Sequence, residues 1–93
     1  MTSITDQLIE AVQEGDITKI TQLLDQGANV NATNSIARTP LMEAASGGDD
    51  ATARLLRAAG ASVQQCDHFG DSAIVYAQKQ GHHRTADLLS SEL

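Results

Sequence analysis

The chain has 93 residues, which is the length of a single domain. Its 6 Lys and Arg residues are outnumbered by 12 Asp and Glu, and the net charge of −6 argues against binding to nucleic acid or to an anionic membrane surface. A single Cys excludes an internal disulfide, and no apolar run reaches the ~20 residues that span a bilayer. Residues 1–6 have neither the basic nor the apolar region of a signal peptide, so none is expected. We therefore expect a soluble, cytoplasmic domain whose many alanines and leucines favour helices.

The first predicted helix pair lies near the N-terminus. Apolar periodicity predicts a helix near Thr5–Glu14, a break at Gly15 and a second helix near Ile17–Gln26. Gly27 follows the second helix, and glycine is common directly after a helix because it adopts the left-handed conformation without strain.

The second helix pair has the clearest boundary signals. Thr39 is a candidate N-cap, and Pro40 follows at the first helical position, where its missing N–H carries no penalty. Two glycines at 47–48 end this short helix. Either Asp49 or Asp50 is then expected to cap a second, longer helix.

The third helix pair repeats the pattern of the second. Ser72 is the predicted N-cap of a helix that runs to about Gln80. Gly81 breaks the chain, and a last helix runs to about Ser91. The chain therefore predicts six helices in three antiparallel pairs, without an extended sheet.

Residues of the same type recur along the chain at a step of 33. Such a period indicates stacked structural repeats, in which small residues let neighbouring helices approach and large apolar residues fill the space between them. We expect the repeated leucines to be buried. The sets that keep the step in all three units are Gly15, Gly48 and Gly81; Ala11, Ala44 and Ala77; and Leu23, Leu56 and Leu89.

These repeats resemble the ankyrin repeat over nearly the whole chain. Residues 39–45 are similar to the family's T-P-L-H-x-A-A, and residues 67–74 are similar to D-x-x-G-x-T-P-L. Residues 27–31 and 60–64 resemble G-A-D-V-N, and the dipeptide at 81–82 matches the G-H that opens the second helix of a repeat.

The resemblance implies a fold and a class of function. It implies one all-α domain over residues 1–93, an ankyrin-repeat solenoid of three stacked antiparallel helix pairs with β-hairpin-like finger loops. The repeats would lie at about 5–33, 34–66 and 67–93, with the first and last acting as caps, so that the chain looks complete. The family's activity is protein–protein recognition without catalysis or cofactors.

The chain departs from the family pattern at two kinds of position. Ile9, Met42 and Val75 replace the family's histidine, and this exchange is expected to lose a polar contact near the start of each short helix. Ala37 stands where the third unit has Gly70, so the finger before the second unit is expected to turn differently, because Ala resists positive φ.

Cysteine and histidine residues near the third unit suggest two kinds of chemistry, a metal site and a nucleophilic pair. Cys66, His68, His82 and His83 could be offered as a metal cluster, but they lack the spacing of a metal site. A nucleophilic Cys–His pair has no third group to orient the base. Cys66 instead occupies the repeat position of Thr33, His68 lies on a finger, and His82 is the histidine of the G-H pair. We predict no catalytic residue, no metal and no cofactor.

The resemblance also indicates where a partner would bind. The family's contact positions fall on the fingers and on the short helices. On the fingers they are Ser35, Ile36, Arg38, His68, Phe69 and Asp71. On the short helices they are Glu10, Gln13, Glu43, Ser46, Tyr76 and Lys79. Phe69 is either an exposed anchor or packed against the base of its own hairpin. Tyr76 shares its slot with two glutamates, so we expect it to be exposed and the better anchor.

Three hypotheses of function follow. The favoured one is a monomeric binding module that acts as an inhibitor or adaptor, one version being a bacterial immunity-type protein that neutralises a toxin. The second is a structural element that self-associates, and the third, disfavoured one is an enzyme. The acidic surface either solubilises the chain or steers it toward a partner with a basic surface.

Overall fold

A computed structural model describes residues 3–91 of the chain. Within that range there are six helices and no strand, which confirms the predicted all-α solenoid, and the predicted boundaries agree to within one residue. In chain order the helices are α1 (Ile4–Glu14), α2 (Ile17–Asp25), α3 (Pro40–Gly47), α4 (Asp50–Ala58), α5 (Ala73–Lys79) and α6 (His83–Ser91).

Side-chain caps set where the helices begin. Thr39 Oγ1 accepts the backbone N–H of Met42 at 3.2 Å, and the corresponding Ser72 caps α5. Of the two candidate caps for α4, it is Asp49 that accepts the N–H of Thr52, at 3.1 Å. A helix that starts on such a cap keeps one of its first N–H groups satisfied.

The core is aliphatic and lies between two rows of helices. The first helices of the three pairs, α1, α3 and α5, pack side by side in one row, and α4 packs against α6 in the other. Of the first helices, α3 and α5 are short, whereas α1 has 11 residues. The recurrent leucines at 23, 56 and 89 are buried, as predicted, and the recurrent alanines at 11, 44 and 77 are buried between the first helices. Stacking therefore creates a core that no single pair could form.

Met42 keeps part of the polar contact that the sequence predicted to be lost. Its sulfur accepts the backbone N–H of Thr39 at 3.4 Å while Thr39 caps the helix in return. That prediction is therefore wrong for the second unit, because a thioether is a weak acceptor. Ile9 and Val75 have no acceptor atom with which to do the same.

A histidine of the third unit lies against a glycine of the second. His82 Nε2 is 3.1 Å from the carbonyl oxygen of Ser46. A Cβ added to Gly48 would lie 2.6 Å from the His82 ring, and Gly48 also has a φ of +68°. Both the backbone conformation and the close approach of the ring therefore require glycine at this junction.

Candidate partner-binding surface

The first finger, residues 34–38, is folded by its leading side chain. Asn34 Oδ1 accepts the N–H groups of Ile36 and of Arg38, both at 3.0 Å. The backbone N–H of Asn34 donates to the carbonyl of Arg38 at 3.1 Å, which closes the loop. An asparagine side chain that accepts from the backbone in this way takes the place of a backbone turn.

The second finger, residues 67–71, has the same construction with a carboxylate in place of the amide. Asp67 Oδ1 accepts the N–H groups of Phe69 at 2.9 Å and Asp71 at 3.0 Å. Its second oxygen, Oδ2, accepts the hydroxyl of Tyr76. Asp67 is only 7% exposed, so its three donors hold a nearly buried charge between the finger and α5.

The two fingers turn in the same way, contrary to the sequence prediction. Ala37 has a φ of +64°, close to the +81° of Gly70. Ala37 donates its N–H to the carbonyl of Asn34 at 3.0 Å, as Gly70 does to that of Asp67 at 3.1 Å. The hydrogen bonds of the leading side chain therefore impose a left-handed residue even where the sequence supplies alanine.

The fingers also contact each other. The N–H of His68 donates to the carbonyl of Ile36 at 2.9 Å. This bond sets the second finger directly beside the first.

A chain of polar contacts, here called the Tyr76 network, runs beneath the fingers through Glu43, Arg38, Tyr76 and Asp67. Arg38 Nε lies 2.8 Å from Glu43 Oε1, and these side chains are 23% and 10% exposed. The Arg38 guanidinium lies 4.7 Å from the centre of the Tyr76 ring, a cation–π distance. Tyr76 is therefore half-buried, and the prediction that it faces solvent is wrong.

The network fixes the protonation states of its two central groups. The hydrogen bond from Tyr76 holds the pKa of Asp67 below its usual value. Burial, together with the hydrogen bond to Asp67, raises the pKa of Tyr76 to about 12. Both shifts favour a neutral phenol that donates to an ionised carboxylate.

Phe69 is the most exposed large apolar side chain among residues 3–91, at 73%. The alternative in which it packs against its own hairpin is therefore wrong. Of the other predicted contact residues, Ser35, His68 and Lys79 are exposed, and Ile36, Ser46 and Asp71 are half-buried. Lys79 Nζ pairs with Asp71 Oδ2 at 3.0 Å, which attaches the end of the second finger to α5.

An acidic groove of about 360 Å³ adjoins the network between α1 and α3. Its apolar lining includes Val12 and Ala44, and its carboxylates come from Glu14, Glu43 and Asp49. The groove is thus negatively charged on the side of the molecule that carries Glu43 of the Tyr76 network.

Of the four residues considered for metal or nucleophile chemistry, His68 lies in the second finger and therefore belongs to this surface. Cys66 is a free, exposed thiol, and His82 is engaged at Gly48. In the described range, no three His, Cys, Asp or Glu side chains come together in a way that could hold a metal ion. None of the helices from α1 to α6 is long and apolar enough to cross a membrane.

Comparison with known proteins identifies the family. The model for ankyrin repeats matches residues 8–92 in three copies. The chain belongs to the ankyrin repeat family. Its ankyrin repeats coincide with the helix pairs and fingers described above, and ankyrin repeats are generally protein–protein interaction modules.

The curated relatives are much larger proteins. The chain is 35% identical over 85 residues to the mitochondrial disaggregase of Bos taurus, covering 91% of this chain and 12% of that protein. It is 38% identical to the potassium channel GORK of Arabidopsis thaliana, covering 88% and 10%. It is 37% identical to the human ankyrin repeat and KH domain-containing protein 1, covering 82% and 3%. The similarity therefore concerns the ankyrin module alone.

Two residues that organise the site, Asn34 and Asp67, were missing from the predicted contact set. A signal for them was present, since they stand 33 residues apart and both are short acceptors at the start of a loop. What the sequence could not reveal is that Tyr76 reaches back to Asp67, a pairing that only the stacking of finger and helix creates.

Proposed function

We propose that this ankyrin domain is a protein-binding module whose partner contacts the tips of the two fingers and the adjoining short helices, in the role of an inhibitor or adaptor. The observation that carries the proposal is the exposure of Phe69 on a finger whose backbone is held by Asp67. Large exposed aromatic side chains are costly in water, and interfaces are enriched in them.

The second finger is well suited to anchor a partner because it is already ordered. Its backbone is fixed by Asp67 and joined to the first finger through His68, so little conformational entropy remains to be lost on binding. Phe69 then acts as the central anchor, with Ile36, Ser35 and His68 beside it. Tyr76 and Arg38 serve mainly to position the fingers, and Glu43, Ser46, Asp71 and Lys79 form the polar margin.

The charge of the surface favours a partner with a basic face. The carboxylates of the acidic groove lie on the same side as the Tyr76 network, and the chain as a whole carries −6. Opposite charge accelerates the encounter and suppresses wrong partners. The free thiol of Cys66 is compatible with the reducing cytoplasm, where we propose that the module acts without catalysis.

The test is affinity capture from the source organism, read by quantitative mass spectrometry, with three versions of the protein. Wild type is compared with Phe69→Ser and with the matched control Ile17→Ser, which removes an apolar side chain that is 40% exposed on α2. Proteins retained by wild type and by Ile17→Ser but lost from Phe69→Ser are the partners. Identical sets from all three versions would contradict the proposal.

Changing both Tyr76 and Arg38 to Ala would not be a clean test of contact with the partner. Both side chains support the fingers, so their removal would also disturb the presentation of Phe69. Phe69→Ser leaves the hydrogen bonds of the second finger in place, since those bonds involve the backbone of residue 69. A thermal melt within about 2 °C of wild type would verify that the variant is folded.

A further inference from the structure

The outer face of the stack, opposite the short helices, carries a groove of about 690 Å³ between α4 and α6. We name it the convex groove. It is lined mainly by Asp50, Ala51 and Arg54 from α4 and by Arg84, Asp87 and Leu88 from α6.

The charges in the convex groove alternate in sign along each helix and also from one helix to the other. α4 and α6 are equivalent helices of successive repeats, so they run in the same direction and residues 33 apart lie at the same level. Near the helix starts, Asp50 on α4 is level with His83 and lies one residue short of Arg84 on α6, so an acid and an arginine line the groove at this end. One turn further on, the signs are reversed, with Arg54 on α4 across from Asp87 on α6.

In the part of the chain that the structure describes, no ion pair neutralises these charges. Among residues 3–91 the ion pairs join Arg38 to Glu43 and Lys79 to Asp71, and none involves Arg54, Arg84 or Asp87. Asp50 Oδ1 accepts the hydroxyl of Thr85 at 2.5 Å, which fixes its position and leaves its charge in place.

A pattern of this kind is complementary to itself. When two copies meet across a two-fold axis, each surface faces the same surface of its partner. If the axis runs along the helices, α4 faces the partner's α6 and every acid meets an arginine. If the axis runs across the helices, each helix faces its own copy in reverse, and again every acid meets an arginine. A surface of uniform charge would instead meet like charge at all four positions.

We infer that the convex groove is the contact between two copies of this chain, related by a two-fold axis. This differs from the monomer predicted from the sequence. It is independent of the proposed function, because it uses the outer helices and leaves the fingers open to a partner. Ala51 and Leu88 supply the apolar floor, and the four charges set the register.

The dimer is expected to be weak. Stable interfaces bury ~800 Å² on each partner, more than a shallow groove between two nine-residue helices supplies. Exposed ion pairs add little, and salt screens them. The dimer should therefore appear as the protein concentration rises and should weaken as the salt concentration rises.

The first experiment measures the weight-average mass by sedimentation equilibrium over a concentration series at low salt. Wild type should rise toward the dimer mass. Arg54→Asp and Asp87→Arg each place like charges opposite one another twice in the dimer, so each should weaken it by roughly tenfold or more. Lys19→Asp, which makes the same charge change on α2, is the matched control and should dimerise as wild type does.

Two charge exchanges identify the axis. Arg54→Asp with Asp87→Arg restores complementarity only when the axis runs along the helices. Arg84→Asp with Asp87→Arg restores it only when the axis runs across them. One of the two exchanges should therefore dimerise again, and circular dichroism checks that each variant is folded.

Three outcomes would overturn the inference. The first is a wild type that stays monomeric throughout the series. The second is a dimer that Arg54→Asp and Asp87→Arg leave unchanged, which would move the contact elsewhere. The third is a dimer that neither exchange restores.

Discussion

The two fingers have nearly the same backbone and different residues. Each begins with a side-chain oxygen that accepts two backbone N–H groups, from Ile36 and Arg38 in the first finger and from their counterparts in the second. The first finger has a neutral amide and a left-handed alanine, whereas the second has a carboxylate, a glycine and a bond from Tyr76.

The comparison shows that the leading acceptor, rather than the glycine, determines the shape of a finger. Ala37 accepts a left-handed conformation that costs an L-residue roughly 1–2 kcal/mol, and it does so because Asn34 and the closing backbone bonds require it. The second finger avoids that strain and is attached to α5 in addition. The more rigid finger is thus the one that exposes Phe69.

The largest effect on stability is expected in the core, which supports both fingers. Leu56 is fully buried on α4, so Leu56→Ala should lower the free energy of unfolding by about 2–5 kcal/mol. Domains of this size are stable by only ~5–15 kcal/mol, so a large loss of structure should follow. A melting temperature within 1 °C of wild type would show that the residue does not support the stack.

The next largest effect on stability is expected from the two leading acceptors of the fingers, and it should differ between them. Asp67→Ala removes three hydrogen bonds and leaves the Tyr76 hydroxyl without its acceptor, whereas Asn34→Ala removes two bonds in a half-buried loop. Both should lower the melting temperature, on the order of 10 °C for Asp67→Ala and about half of that for Asn34→Ala. Equal losses would mean that the bond from Tyr76 adds nothing.

Much of the fold was predictable because repeats fix helices and core together. The step of 33 identified the buried leucines and the glycine breaks, and local caps such as Thr39 fixed helix starts. The surface was predicted less well. Tyr76 occupies the repeat position that holds a glutamate in the other two units, which suggested that it would be exposed. Its phenol instead reaches Asp67, and its ring lies under Arg38. The residues that join a finger to a helix differ from one unit to the next, so their contacts leave no periodic signal in the sequence.

The pH dependence of stability tests the bond between finger and α5. The pKa of Tyr76 is raised from 10.0 to about 12, so its contribution to stability is fully present below pH 10 and is lost as the pH rises toward 12. The pKa of Asp67 is lowered from 3.8, so its contribution is present above that pH and is lost on acidification. Stability should therefore decline at both ends of the range.

Tyr76 is the only tyrosine in the chain, so its ionisation can be followed directly by tyrosinate absorbance. The midpoint should lie near 12 in wild type and should fall part of the way toward 10 in Asp67→Ala, because burial, the larger cause of the raised pKa, remains. Tyr76→Phe should remove the alkaline loss of stability and keep the folded stack. A wild-type midpoint near 10 would show that the phenol is free in solution.

The smallest effect concerns the left-handed residues, and here an exchange between the fingers is possible. Ala37→Gly should relieve roughly 1–2 kcal/mol of backbone strain, offset by the ~0.5–1 kcal/mol of extra entropy that glycine loses on folding, for a net gain of about 0.5–1 kcal/mol. Gly70→Ala should lose a similar amount. A Cβ at Gly70 would meet no heavy atom within 4 Å, so that loss arises from the backbone alone. Denaturant melts of the two variants and of the double exchange measure both changes. If the gain and the loss of stability fail to cancel in the double exchange, the two fingers differ in more than their left-handed residue. The difference to examine is then the extra restraint that Tyr76 places on the second finger.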